Sequence, residues 1–310
     1  MVDSLQKIDE ETLIQLDLNK ARMTLVDKNR SNELLEAMRN PTQAAGGSAA
    51  NTAYWASQLG CKVGFIGKIS NDELGIEFKE SVKKSGLNDF TIFETEDNQT
   101  GHCAIFITPD GERTMNTYLG AGAFLSVEDL DEEAIKSAEI LYMEGYLWDR
   151  PTSKEAFLYA AKLNKSSGGK NAITLSDVFC VEMHRDSFIE FIKESIDFVF
   201  CNEEEIMSLT MKETIDEAIN SFTNQFPNIE ELVCTLGPRG ALVISNGKKS
   251  HYDATEAEVV DKTGAGDYFA AGYLYGLQKK LSIEESADIA NRSAAYVISE
   301  VGVRPKNKFN

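Results

Sequence analysis

The residues best suited to chemistry lie at positions 261–272, which read Asp-Lys-Thr-Gly-Ala-Gly-Asp-Tyr-Phe-Ala-Ala-Gly. Gly264-Ala265-Gly266 stand directly before a helical pattern that runs from Asp267 to about Gln278. Small residues in this position let backbone N–H groups converge on an anion, and the helix dipole adds about half a positive charge. The stretch therefore predicts a phosphate cradle at a helix N-terminus.

Asp267 would lie beside the bound phosphate. A carboxylate there is repelled unless it has a task, and orienting an attacking hydroxyl while accepting its proton is such a task. The helix N-terminus is expected to favour the ionised carboxylate and to keep the pKa of Asp267 low. The structural alternative is that Asp267 merely caps the helix and that the glycines make a turn.

The elements that must position this segment follow an α/β pattern. Strands that alternate with helices predict a mainly parallel sheet with helices on its faces. The predicted strands are Ile140–Met143, Ala172–Leu175, Phe198–Cys201, Leu232–Leu236 and Ala241–Ser245, and the predicted helices are Lys154–Asn164, His184–Ile196 and Ile215–Gln225. Turn residues at Gly237–Gly240 and Asn246-Gly247 predict chain reversals on either side of the last strand.

Residues 88–120 have a different pattern. Phe90–Thr95, Gly101–Thr108 and Arg113–Leu119 are strand-like, with a turn at Pro109–Glu112 and no helix between them. An antiparallel insertion of this kind in an α/β protein is often a lid over a site. An ordinary sheet edge is the alternative.

Composition limits the possible domain size, partners and location of the protein. The chain has 310 residues, of which 42% are hydrophobic and 26% charged, so it can bury one large α/β domain or two modest ones. A formal net charge of −19 repels polyanions and excludes a nucleic-acid partner, although backbone amides and a metal ion can still bind a nucleotide. No apolar run approaches the roughly 20 residues of a membrane span, and no signal peptide is apparent, so we expect a cytoplasmic protein without a membrane partner.

Other nucleotide-binding classes fit the sequence poorly. It contains no G-x-x-x-x-G-K-[S/T] segment, which disfavours a P-loop, and Gly264-x-Gly266 lacks the third glycine of a dinucleotide-binding fold. The five cysteines and three histidines are scattered, so neither a disulfide framework nor a zinc site is expected.

Four ordered motifs resemble those of the ribokinase-like (PfkB) carbohydrate and nucleoside kinases. Asp261–Asp267 is similar to the family's C-terminal signature and Gly46–Asn51 to its first signature. Asn202–Glu205 and Thr235–Gly240 resemble its Asn-x-x-Glu element and its nucleotide-binding turn. The resemblance implies a single three-layer α/β/α domain over residues 1–310, with a mostly parallel central sheet. It also implies a small antiparallel β lid, formed mainly by 88–120 with part of about 13–45.

The resemblance also implies roles for individual residues, each of which has a purely structural alternative such as a turn, a cap or a core position. The residues for phosphoryl transfer would be Gly264, Ala265, Gly266 and Asp267. The residues that bind the acceptor would be Asp3, Gly46, Gly47, Asn51, Arg113 and Glu144. The residues that bind ATP would be Asn202, Thr235, Gly237, Gly240 and Asn291. Asn202 and Glu205 would organise Mg²⁺ through water, while Asp261 and Thr263 would hold a monovalent cation such as K⁺.

Within this family the chain is most similar to bacterial adenosine-kinase-like members, through Gly46–Asn51, Asp110–Tyr118 and Glu144–Trp148. That likeness implies transfer of the ATP γ-phosphoryl group to the 5′-hydroxyl of adenosine. A ribokinase- or fructokinase-type sugar kinase is the alternative inside the family, and a non-catalytic nucleotide- or sugar-binding protein is the alternative outside it. Relatives occur as monomers and as homodimers built on the lid.

The N-terminus departs from the family pattern. Family members usually place a strand ending in a Gly-x-Gly-Asn-like segment before the aspartate, whereas only Met1-Val2 precede Asp3 here. We therefore expect most of that first strand to be missing from this chain.

Overall fold

The computed structural model describes residues 1–94, 98–305 and 309, so Thr95 of one predicted strand lies outside the described residues. Its strands are β1 Val2–Lys7, β2 Met23–Leu25, β3 Thr42–Ala45, β4 Gly64–Ile69, β5 Asn88–Phe93, β6 His102–Ile107, β7 Arg113–Tyr118, β8 Ile140–Glu144, β9 Lys170–Thr174, β10 Phe198–Asn202, β11 Glu231–Thr235, β12 Ala241–Ser245 and β13 Lys248–Tyr252.

The helices cover the sheets and supply the two helix starts at the site. They are α1 Glu10–Gln15, α2 Lys28–Ala37, α3 Ser48–Gln58, α4 Glu73–Lys84, α5 Glu132–Ser137, α6 Pro151–Ser166, α7 Val178–Ser195, α8 Glu203–Thr210, α9 Ile215–Gln225, α10 Ala265–Gln278 and α11 Ile283–Ile298. Within the described ranges, no helix is both long and apolar enough to span a membrane.

The largest sheet has the strand order β13-β12-β11-β10-β9-β8. Strands β8 to β11 run parallel, and β12 and β13 are added antiparallel through the two predicted turns. Successive residues of a strand face opposite sides, so Val199 packs in the core beneath α7 and α9 while Phe198 and Phe200 pack beneath α10 and α11. Helices on both faces confirm the predicted three-layer α/β/α architecture, and burial on both faces explains why these strands are almost continuously apolar.

The remaining parallel strands form a separate pair. β4 pairs in parallel with β5, and α4 covers them through Phe78 and Val82. Within the described residues β4 has no second partner, and neither does β8 at the edge of the six-stranded sheet. Residues of both open edges line the same cavity.

A third sheet has the order β2-β7-β6-β1-β3. β6 and β7 form an antiparallel hairpin, β1 is parallel to β6, and β2 is parallel to β7. Leu13 of α1 and Leu34 of α2 pack on one face of this sheet, against Phe106. The prediction that residues 88–120 form one antiparallel insertion was therefore wrong at its beginning, because β5 pairs in parallel with β4 and does not join the sheet of β6 and β7.

β1 contains Asp3 instead of ending before it. Asp3 lies opposite Ala44 of β3 and Cys103 of β6, so its backbone is held on both sides. Asp3 is thus held within the strand Val2–Lys7, whereas the family pattern places the strand before the aspartate.

Candidate active site

One cavity of about 870 Å³ lies between the five-stranded sheet and the ends of the parallel strands. That volume is typical of a site for a small molecule. The structure brings most of the predicted site residues to its wall, namely Asp3, Gly46, Gly47, Asn51, Arg113, Glu144, Asn202, Glu205, Thr235, Asp261, Thr263, Gly264, Ala265, Gly266 and Asp267.

Three predicted nucleotide-binding residues are not part of that wall. Gly237 and Gly240 lie in the turn between β11 and β12, where both have positive φ. Asn291 is buried within α11, and its Nδ2 has no hydrogen-bond partner among the described residues. Their contact with ATP stays a prediction.

The catalytic candidate Asp267 lies in the first turn of α10, where it meets the start of α3. Asn51 Nδ2 donates a hydrogen bond of 2.8 Å to Asp267 Oδ2, and Thr52 Oγ1 donates one of 3.2 Å to its carbonyl oxygen. Gly47 and Gly264 cap the two helices with φ of 96° and 78°, a left-handed conformation that favours glycine. Two helix N-termini thus converge on one carboxylate.

The prediction that Asp267 has a low pKa was wrong. Burial raises the pKa of this carboxyl above its ordinary value, although hydrogen bonds from Asn51 and Ser48 and the charge of Arg304 oppose the rise. Loss of water around a charged group outweighs the favourable helix terminus here. Asp267 keeps part of its surface open to the cavity, which leaves it accessible to a substrate.

The start of α10 has the features of an anion cradle. Among the described residues, nothing accepts a hydrogen bond from the N–H of Gly266 or of Asp267. A side chain at position 266 would meet no protein atom within 4 Å, so this face of the loop is open. Unpaired N–H groups at an open helix start are suited to bind phosphate oxygens.

Two further carboxylates face the same end of the cavity. Asp3 is 7% exposed, and burial raises its pKa to about 6, against the opposing charges of the Met1 ammonium and Arg304. Gly46 lies so close to Asp3 that any side chain at position 46 would overlap the carboxylate. Glu144, at the end of β8, accepts a 2.7 Å hydrogen bond from the N–H of Ala49. Carboxylates of this kind are strong acceptors for substrate hydroxyls.

Asn202 and Glu205 form a reciprocal cap at the start of α8. Glu205 accepts from the Asn202 N–H at 3.0 Å, while Asn202 Oδ1 accepts from the Glu205 N–H at 2.8 Å. Burial raises the pKa of Glu205 to about 7, and no cationic side chain among the described residues pairs with it. This desolvated carboxylate on the cavity wall fits a hydrated Mg²⁺. The described residues contain no cluster of three or more metal-ligating side chains, so such an ion would need water and phosphate ligands as well.

Arg113 forms an ion pair within the protein, and its contact with the acceptor stays a prediction. Its guanidinium, carried on β7, forms an ion pair with Asp261 in the loop before α10. The Asp261 carboxylate also accepts hydrogen bonds from the N–H of Thr263 at 3.0 Å and of Gly302 at 2.6 Å. Arg113 therefore supplies a positive charge beside the Asp261 carboxylate. The K⁺ site at Asp261 and Thr263 stays a prediction.

Sequence reasoning missed Arg304. Its Nη1 donates a 2.8 Å hydrogen bond to Asn51 Oδ1, which places it in the network of Asp267. It belongs to no recognisable motif, and only the folded chain brings it to α3. Trp148, at the end of the segment Glu144–Trp148, is a core residue that stacks on Phe188 and Phe191.

These features agree with the comparisons with known proteins. The description of the pfkB family of carbohydrate kinases matches residues 7–309. Since this is nearly the whole chain, the protein belongs to the pfkB family of carbohydrate kinases.

Individual relatives carry several names. The solved structure of adenosine kinase from Sinorhizobium meliloti is 35% identical, with a TM-score of 0.89, and the match covers 98% of this chain and 93% of that one. A probable sugar kinase from Rhizobium etli is also 35% identical, with a TM-score of 0.91 and coverages of 99% and 92%. Mouse ribokinase is 26% identical over 84% of this chain and 80% of its own length.

The buried Asp3 carboxyl generates a prediction about stability. Its folded-state pKa of about 6 exceeds the ordinary 3.8, so the native state binds this proton more tightly and loses stability as the pH rises from about 4 to 6. Asp3→Asn should therefore increase the free energy of unfolding at pH 8 by up to about 3 kcal/mol, while weakening acceptor binding.

Urea unfolding at pH 8 and at pH 4.5 measures this difference, which should fall to about 1 kcal/mol at the lower pH because that pH still lies above the ordinary pKa of 3.8. Asp216→Asn is a matched control, because Asp216 is an exposed residue of α9. A less stable Asp3→Asn variant at pH 8 would show that Asp3 is a net stabilising group.

Proposed function

We propose that this protein transfers the γ-phosphoryl group of ATP to the 5′-hydroxyl of adenosine. Membership of the kinase family sets the class of reaction, and the site residues and the acceptor are the proposal. The observation that carries it is the position of Asp267, a half-buried carboxylate fixed by Asn51 beside the open N–H groups at the start of α10.

The residues of the chain divide the reaction between them. As the acceptor oxygen forms its bond to the γ-phosphorus, the bond from phosphorus to the β–γ bridging oxygen breaks and ADP leaves. Asp267 orients the hydroxyl and receives its proton, and its raised pKa makes it a better base than an ordinary aspartate. The Gly266 and Asp267 amides stabilise charge on the transferring oxygens, and bound Mg²⁺ neutralises phosphate charge.

The shape of the cavity favours a nucleoside over a simple sugar. Its acidic end, with Asp3 and Glu144, suits ribose hydroxyls, whereas the rest of the wall formed by the five-stranded sheet is largely apolar. That wall includes Met23, Leu25 and Ile105, which a bare sugar would leave uncovered.

Charge disfavours a phosphorylated acceptor. The cationic side chains on the wall are Lys68, Arg113 and Lys262. Lys68 pairs with Asp129 at 2.9 Å, and Arg113 pairs with Asp261. A second phosphate would therefore find few cations ready to bind it.

A sugar kinase is the second candidate function, because the Rhizobium etli relative is a probable sugar kinase. The Asp267 carboxylate and the open N–H groups of Gly266 and Asp267 argue against a non-catalytic binding protein. Potassium dependence and a lid-mediated homodimer stay predictions.

Asp267→Asn tests the catalytic assignment. The variant should bind ATP almost as well as the wild type but should lose about 10²- to 10⁴-fold in kcat, the usual effect of removing a positioned acid–base group. Single-turnover phosphoryl transfer and ATP titration measure the two quantities. Asp216→Asn on exposed α9 is the control, and an Asp267→Asn enzyme that retained most of its kcat would remove this residue from the mechanism.

Acceptor specificity is tested with adenosine, ribose, fructose and fructose 6-phosphate. Adenosine should give the highest kcat/KM, because it fills both the acidic end and the apolar wall. Leu25→Ser should raise the KM for adenosine severalfold and leave that for ribose nearly unchanged. Ile14→Ser, on the outer surface of α1 where the side chain is 74% exposed, is the matched control. A higher kcat/KM for any of the sugars would favour the sugar-kinase alternative.

Movement of the five-stranded sheet is tested by deuterium exchange. We predict that amides of β6 and β7 exchange more slowly with saturating acceptor and that ATP hydrolysis without acceptor is much slower than transfer, because closure excludes water. Arg113→Met should reduce the protection, since Arg113 joins β7 to Asp261. Exchange in α9 provides the internal reference. Unchanged exchange in β6 and β7 would make this sheet a static wall.

A further inference from the structure

We propose that Arg304 is a positioning residue for phosphoryl transfer, which acts through the Asn51 amide to hold the Asp267 carboxylate. The inference rests on the proposed function of Asp267 and adds a residue from the opposite end of the chain. The geometry that carries it is a continuous path of hydrogen bonds from Arg304 Nη1 to Asn51 Oδ1, and from Asn51 Nδ2 to Asp267 Oδ2, each bond 2.8 Å long.

Arg304 approaches Asn51 from behind the cavity. Asn51 and Asp267 both belong to the cavity wall, whereas Arg304 does not. Contacts within the protein therefore account for the position of the Arg304 guanidinium. Its hydrogen-bonded connection to Asp267 runs through Asn51. Its effect on catalysis must pass through the orientation of that amide and through its charge.

The orientation of the Asn51 amide depends on what faces each end. A guanidinium has only donors, so the amide end next to Arg304 must be the oxygen. The NH₂ end then points to Asp267, where a carboxylate needs a donor. Without Arg304, the amide can rotate and present its oxygen to the carboxylate, which would replace an attraction by a repulsion between two acceptors.

The segment that carries Arg304 is held by the same two helices. Its guanidinium lies 4.2 Å from the centre of the Tyr54 ring on α3, and the Val303 carbonyl accepts a 2.9 Å hydrogen bond from Tyr268 of α10. Tyr54 lies one helical turn after Asn51, and Tyr268 directly follows Asp267. Arg304 is thus held by residues close to Asn51 on α3 and to Asp267 on α10, the two residues that it orients.

Electrostatics give Arg304 a second effect on Asp267. Its charge opposes the rise in the pKa of both Asp267 and Asp3. The other titratable groups that interact with Asp267 are Asp3 from β1, Tyr142 and Glu144 from β8, Tyr146 after it, and Tyr268 next to it. All of these are acidic groups, so loss of Arg304 should raise the pKa of Asp267 further and move the acid limb of the kcat profile to higher pH.

The decisive experiment compares Arg304→Met, Arg304→Lys and Tyr268→Phe. Arg304→Met should lose about 10- to 100-fold in kcat with little change in the KM for ATP, and its acid limb should move up in pH. Arg304→Lys keeps a charge and donors and should recover most of both effects. Tyr268→Phe removes one of the two hydrogen bonds to the Val303 carbonyl, the other being donated by Arg304 Nη1 at 2.6 Å. Because it removes no charge, it should lower the melting temperature and leave the pH profile unchanged.

A purely structural clamp predicts a different result. Equal losses in Arg304→Met and Tyr268→Phe with unshifted pH profiles, or a folded Arg304→Met enzyme within twofold of the wild-type kcat, would overturn the proposal. A ¹³C titration of the Asp267 carboxyl provides a readout that needs no substrate, and Arg304→Met should raise its pKa. If the wild type phosphorylates no acceptor, the proposed function fails, while an unshifted Asp267 titration in both Arg304 variants would refute the role of Arg304 separately.

Discussion

The hydrogen bond between Asn51 and Asp267 joins residues 216 positions apart, and the geometry of the whole site depends on it. It fixes the start of α3 against the start of α10, so that two helix N-termini point at one place. Helix starts offer unpaired N–H groups and a positive potential, which is the environment that a transferring phosphate requires. A carboxylate can share that place only because its surroundings donate hydrogen bonds to it.

Burial of acidic groups is the cost of this arrangement. Asp3, Glu144, Glu205 and Asp267 all have pKa values raised by burial, and the chain already carries a net charge of −19. Ligand hydroxyls and a hydrated cation would satisfy these groups, whereas the protein alone satisfies them incompletely. The site is therefore a place where binding has been favoured over the stability of the empty protein.

The sequence predicted those features that depend on local chemistry. The α9 helix Ile215–Gln225 and the strand Ala241–Ser245 were predicted with their observed limits, because caps, turns and apolar runs mark them. The glycine loop and Asp267 were found for the same reason. Features decided by distant neighbours were missed: the partner of β5, the desolvation that raises the pKa of Asp267, and the contact of Arg304 with Asn51. No spacing along the chain encodes these contacts, because folding alone brings the segments together.

Two polar contacts on the cavity wall join elements of the protein that are distant in sequence. Arg113 joins the five-stranded sheet to the loop before α10, and Glu144 joins the edge strand β8 to α3. Both links are polar and lie on the cavity wall, so they can be exchanged for contacts with a ligand at little net cost. An apolar interface in the same place would hold the layers more firmly, but it would have to be broken to admit a substrate. Polar links therefore suit a cavity wall that has to exchange contacts within the protein for contacts with a ligand.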